Sequence, residues 1–202
     1  NMEIFPGDLI SVRGKSGSGK STFLHILSSL LRPDEGNVFF NGRDMYSMKE
    51  REMLALRQNS IGFVFQDNLL LEDLSVEENV MLPLRIAGKS TSVSRARVLD
   101  YAEEIGIGGI LKKRARVISS GEKARVSLLR AIAVGKDIVF LDEPTGALDN
   151  ENARNIETLI VGLAKSAGAA FVYVTHDEAF AGRADRQFAI SERHVAELMV
   201  NP

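Results

Sequence analysis

The sequence predicts an α/β fold with a mainly parallel sheet, small β elements near the N-terminus and an inserted helical subdomain. Three observations carry that reading. Strand-like and helix-like runs alternate through both ends of the chain. Two short runs, 138–141 and 170–174, are apolar throughout, as in strands covered on both faces. A middle stretch carries helical spacing alone.

The elements follow in order. Residues 8–13 read as a strand that ends in the glycine-rich run Gly14 to Gly19, and 21–31 as an apolar helix stopped by Arg32-Pro-Asp-Glu-Gly36. Residues 37–40 form a short strand before the turn dipeptide Asn41-Gly42. A charged helix over 48–58 leads to a strand rich in aromatic and β-branched residues at 61–65. From Asp67 to about Val117 the stretch reads as helices only. Ser75 with Glu78 makes a capping box for a helix over 76–86, and 91–105 carries apolar positions at helical spacing until Gly106, Gly108 and Gly109 break it. Alternation then resumes: a helix at 120–134, a strand at 138–141, a helix at 150–167, a strand at 170–174, and weaker strands at 185–190 and 194–200. The domain division is therefore a core of 1–66 and 118–202 around an insert of 67–117.

Composition bounds the function. The 202 residues are 45% apolar, enough to bury the core of one large domain. Lys and Arg number 25 against 27 Asp and Glu, a net charge of −2, which gives no case for nucleic acid or a membrane surface as a direct partner. The absence of cysteine excludes disulfides, thiolate metal sites and a thiol nucleophile, and fits a reducing compartment. No apolar run approaches the ~18 residues of a membrane span, and no leader opens the chain. The chain starts at Asn1, close to its first strand, so further sequence is expected upstream.

Two motifs carry chemistry. Gly14-Lys15-Ser16-Gly17-Ser18-Gly19-Lys20-Ser21 fits G-x4-G-K-[ST], between a strand and a helix as that motif requires. Its glycines let successive N–H groups turn inward toward phosphate oxygens, and the helix adds its positive end. Lys20 is expected at the β- and γ-phosphates, Ser21 at Mg²⁺ and Thr22 at the α-phosphate. The second motif is Asp142-Glu143 at the carboxyl end of the 138–141 strand, where α/β folds bind ligands. Asp142 is expected to hold Mg²⁺. Glu143, pointing differently, is expected to take a proton from an attacking water. Together they describe a phosphate-loop core expected to bind a nucleotide with Mg²⁺.

With these and four further motifs in order, the chain resembles the nucleotide-binding subunit of ATP-binding-cassette (ABC) transporters over essentially its whole length. Gln66, in Phe63-Val-Phe-Gln66, resembles the glutamine loop. Ile118-Ser-Ser-Gly-Glu122 is similar to the family signature, Gly146-Ala-Leu-Asp149 to the D-loop, and His176, in Val174-Thr-His-Asp177, to the switch histidine. Ser119 and Glu122 form a further capping box, so the signature opens a helix. The resemblance implies that Glu143, His176 and Gln66 are catalytic, and that Gln66 lies near Mg²⁺ and the attacking water. It implies that Ser119, Gly121 and Asp149 contact nucleotide only in a head-to-tail dimer with a second ATPase subunit. It further implies a membrane permease docked on the insert and a peripheral position on the cytoplasmic face. Ile61-Gly-Phe-Val-Phe-Gln66, Glu78-Asn-Val80, Leu82-Pro-Leu84 and Glu143-Pro-Thr-Gly-Ala-Leu-Asp149 look like the lipoprotein-release, macrolide-export and antimicrobial-peptide group.

Departures from that pattern leave alternatives open. Ser120 stands where the signature usually has glycine, a position where close approach or a positive φ is a reason for glycine. It keeps a weakly hydrolysing, nucleotide-gated dimerisation module as an alternative, beside a non-transport cassette ATPase and a small-molecule kinase. Phe5 lies too near the loop to serve as the adenine platform, which is expected upstream of Asn1. His25 reads as packing, His194 has no matching neighbour, and Lys112-Lys-Arg-Ala-Arg116 reads as a solvated face.

Overall fold

Apolar runs at the chain's two ends interleave in space, so the sheet is assembled from distant segments. The computed structural model describes residues 2–191 and 194–198. Strand β1 (Leu9–Arg13) leads through the glycine loop into helix α1 (Lys20–Leu27). A two-residue hairpin follows, β2 (Phe39–Phe40) and β3 (Arg43–Asp44), closed by Asn41 and Gly42, both at positive φ. Next come α2 (Glu50–Asn59), β4 (Ile61–Val64), α3 (Val76–Ile86), α4 (Ser92–Glu104) and α5 (Ser120–Ile132). The chain closes with β5 (Ile138–Asp142), α6 (Asn150–Ala167), β6 (Ala170–Val174), α7 (Glu178–Ala181), β7 (Arg186–Ser191) and β8 (His194–Leu198).

The sheet order is β4-β5-β6-β1-β7-β8, parallel except for the β7–β8 pair. Its register decides where the site lies. Val64 is opposite Leu141, Leu141 opposite Tyr173, and Val12 opposite Val174. The residues just beyond those positions therefore gather along one carboxyl edge, as expected of ligand sites in parallel sheets. One face carries Ile10, Val12, Phe140 and Val172 beneath Leu24 of α1. The other carries Leu9, Leu141 and Tyr173, in a cluster that runs without a break into Val76, Val80 and Val98 of α3 and α4. The helical insert thus shares its core with the sheet.

Three local features differ from the sequence reading. Helix α1 ends at Leu27, because Ser29 takes a left-handed φ of 66° and the His25 carbonyl accepts the N–H groups of both Leu30 and Leu31. The stretch 67–117 is not helices only. Val76 N–H donates to Lys113 O and Ala115 N–H to Leu74 O, around a bridge between Ser75 and Arg114. Helix α7 is additional. Asp177 caps it, and tertiary bonds hold its far end, with the Tyr173 hydroxyl donating to Phe180 O (2.7 Å) and Ser11 to Ala181 O (3.0 Å). At the far end of the chain, the part of the predicted strand at 199–200 lies outside the described residues.

Candidate nucleotide and dimerisation site

The loop after β1 is shaped by contacts that only glycine permits. A Cβ on Gly14 would lie 2.8 Å from the backbone oxygen of Ile190 and 2.4 Å from Ser18 Oγ. Gly19 takes φ 93° and caps α1 without a side-chain hydrogen bond, and the helix has no acidic residue in its first turn. Its N–H groups are thus free for an anion and no carboxylate competes for them. Ser16, Gly17 and Thr22 are exposed around this end, while Ser18 is partly buried. Lys20, 7% exposed, bends back over the loop and donates to Gly14 O (3.0 Å) and Lys15 O (3.3 Å).

Asp142 ends β5 and Glu143 follows it, and their side chains diverge. Ser21 Oγ donates to Asp142 Oδ1 at 2.9 Å, so α1 and β5 bring a hydroxyl and a carboxylate together. Burial pushes the Asp142 carboxyl above its ordinary range, against the Ser21 hydrogen bond and the nearby His25. Glu143 adopts φ 44°, a left-handed conformation that costs a non-glycine residue energy. Its N–H donates to Val174 O on β6. That kink sends its carboxylate the other way, with Oε1 3.8 Å from Lys20 Nζ and Oε2 3.4 Å from Nδ1 of His176. Carboxylate, lysine and exposed histidine thus share one corner of the sheet edge.

The oxygen pair of Ser21 and Asp142 suits Mg²⁺, which keeps several water or phosphate ligands and takes only one or two from protein. No group of three or more His, Cys, Asp and Glu that could hold a metal by itself occurs among the described residues. A metal shared with a phosphate is therefore what this corner fits. Gln66 lies on an exposed turn after β4 and hydrogen-bonds neither Ser21 nor Asp142.

The signature lies apart from the loop. Ser119 caps α5, its N–H donating to Glu122 Oε2 at 2.7 Å while Glu122 N–H donates back to Ser119 Oγ at 3.3 Å. That backbone bond from Ser119, chiefly, holds the Glu122 carboxyl below its usual range. Ser120 is the first helical residue and is not at positive φ, so its place does not demand glycine on conformational grounds. Gly121 is different: a Cβ there would meet Asn152 Oδ1 at 2.8 Å. Asp149 caps α6, accepting the N–H groups of Glu151 and Asn152 and the Asn152 amide. Signature and D-loop are thus packed together within one chain, with Ser119, Ser120 and Asp149 exposed, Gly121 buried against Asn152, and no hydrogen bond to the phosphate loop among the described residues.

Sequence reasoning missed one member of the site. His25 lies within 3.8 Å of Asp142 Oδ2. Its spacing of four from Ser21, one helical turn, was the available signal. The basic run 112–116 is partly paired, with Lys112 on Glu77 (3.1 Å) and Arg116 on Asp73 (3.6 Å).

A profile of the ABC transporter family matches residues 1–146. The chain is 38% identical over 190 residues to lipoprotein-releasing system ATP-binding protein LolD 1 of Rhodopirellula baltica, covering 94% of this chain and 83% of that protein. It is 36% identical over 197 residues to the macrolide export ATP-binding/permease protein MacB of Marinobacter nauticus, covering 98% of this chain but 30% of that longer protein. The ATP-binding cassette MJ0796, in a dimeric post-hydrolysis state bound to ADP and Pi, superposes with a TM-score of 0.84 at 31% identity, covering 100% of this chain and 90% of that one. A second dimeric structure of MJ0796, described as a bacterial ABC transporter cassette, gives 0.87 at 32% identity. The loop, the strand-end acids and these matches agree: the chain belongs to the ABC transporter family, as an ATP-binding subunit that hydrolyses ATP.

Proposed function

We propose that this subunit pairs head-to-tail with a second copy of itself, closing two ATP molecules between the phosphate loop of one and the signature of the other. The observation that carries this is the separation within one chain. Lys20, Asp142, Glu143 and His176 gather at one corner, while Ser119 and Ser120 stand exposed at the start of another helix, with Gly121 buried just behind them. In the dimer, Gly14 to Thr22 hold the phosphates, with Ser119 and Gly121 completing the enclosure and Asp149 at the seam. Ser21 and Asp142, with Gln66, would hold Mg²⁺, which would supply charge neutralisation at the phosphates. Glu143 accepts the proton of the attacking water, and His176, beside its Oε2, fixes its direction. The helical placement of Ser120 supports full turnover over a weakly hydrolysing module.

The relatives' names support coupling to a permease of the lipoprotein-releasing or macrolide-export kind. No helix among the described residues is long and apolar enough to cross a membrane. We therefore place the subunit peripherally on the cytoplasmic face, with segment 67–117 against an integral membrane partner. Glu143→Gln tests the catalytic assignment. Turnover should fall by about 10²- to 10⁴-fold while ATP binding stays within about two-fold. Unchanged turnover would remove Glu143 from the role.

A further inference from the structure

We propose that His25 is a positioning residue for Asp142, holding the carboxylate oxygen that Ser21 leaves free. The inference rests on the reading of Asp142 as a metal-holding residue. Ser21 and His25 are one turn apart on α1, so both side chains lie on the face turned toward β5. Ser21 Oγ takes Oδ1 of Asp142 at 2.9 Å, and His25 Nε2 stands 3.8 Å from Oδ2. That Nε2 is buried and has no hydrogen-bond partner among the described residues. A buried polar nitrogen without a partner is costly, and the free carboxylate oxygen is the acceptor in front of it. With the proton on Nε2, a shift of about 1 Å closes the bond.

The imidazole also packs near aromatic rings. Its centroid lies 5.4 Å from Phe63 and 6.4 Å from Phe65, which pack on each other at 4.4 Å. Phe65 directly precedes Gln66. His25 therefore neighbours both the carboxylate of Asp142 and the segment that leads into the glutamine. Packing alone would be served as well by leucine. The nitrogen facing Oδ2 is what leucine lacks, and it is what glutamine, whose Nε2 reaches a similar place, retains.

Three variants of the full-length protein separate these roles: His25→Leu, His25→Gln and Asp142→Asn. Two quantities are read: the Mg²⁺ concentration for half-maximal ATPase at saturating ATP, and binding of a fluorescent ATP analogue in EDTA. Thermal melting of each variant checks the fold. Removing a residue that orients a metal ligand costs about 10- to 100-fold in metal affinity. His25→Leu should raise the Mg²⁺ half-saturation by ~10-fold or more and leave metal-free analogue binding within about two-fold. His25→Gln should restore the half-saturation to within about three-fold of wild type. If Asp142→Asn loses Mg²⁺ dependence and both His25 variants keep the wild-type half-saturation, His25 has no positioning role. A normal half-saturation in His25→Leu beside a raised one in His25→Gln assigns it to packing and also overturns the proposal. If Asp142→Asn itself keeps the wild-type half-saturation, the reading of Asp142 fails, and the role of His25 fails with it.

Discussion

Replacing Gly121 by alanine should destabilise the protein, although alanine is the better helix former. Gly121 is the second residue of α5, where the exchange by itself favours folding by roughly 0.5–1 kcal/mol. The new Cβ would stand 2.8 Å from Asn152 Oδ1 and 3.1 Å from its Cγ, so the asparagine must turn away. That breaks its exposed 2.7 Å hydrogen bond to Asp149 Oδ2. The forced repacking costs about 2–2.5 kcal/mol. The net loss is ~1–2 kcal/mol. In an Asn152→Ala background neither the overlap nor the bond remains, and the same exchange should stabilise by about 0.5 kcal/mol. Urea unfolding of the four proteins completes the cycle, with an expected coupling of about 1.5–2.5 kcal/mol. A Gly121→Ala exchange that stabilises in both backgrounds would show that signature and D-loop do not press on each other within one subunit.

Two other substitutions test buried charges. Burial holds the Asp142 proton more tightly in the folded chain than in the unfolded one, so stability falls as pH rises from the ordinary carboxylate value through the raised folded one. Asp142→Asn should therefore raise the ligand-free Tm by about 2–4 °C at neutral pH, with the gain vanishing in acid; a lowered Tm at neutral pH would refute this. Arg183→Met should strand Glu157, which is 8% exposed, pairs with Arg183 at 3.6 Å, and is pushed up by burial and by Asp177. Breaking a buried pair costs about 3–5 kcal/mol, and the partial exposure of Arg183 reduces this to ~2 kcal/mol, or about 4–8 °C in Tm. Because a stranded Glu157 can take up a proton, the loss should shrink as pH falls toward about 5, and a loss flat in pH would contradict it.

The parts of the site legible in sequence are those set by local rules. The run Gly14 to Ser21 carries its own turn chemistry, and Ser119 with Glu122 declares a helix start through reciprocal bonds that the structure contains. The apolar strands were legible because each is covered on both faces. What local rules could not reach depends on distant partners. Helix α7 has only four residues and is pinned by Tyr173 and Ser11, which lie on two other strands. The pairing of Val76 with Lys113 joins segments with no strand periodicity. The left-handed φ of Glu143 follows from its bond to Val174 on the neighbouring strand, not from any preference of glutamate. His25 looked like packing because its charged neighbour is more than a hundred residues away in sequence and its aromatic neighbours lie on β4 and just after it.

The central claim is that the catalytic corner of one subunit is completed by the signature of another. Its most direct test is the mass in solution of full-length Glu143→Gln, with Mg·ATP and without nucleotide. The account predicts a monomer without nucleotide, a dimer with Mg·ATP, and loss of that dimer when Ser119 is replaced by a bulky residue such as phenylalanine. A monomer under both conditions, with ATP shown to be bound, would contradict it.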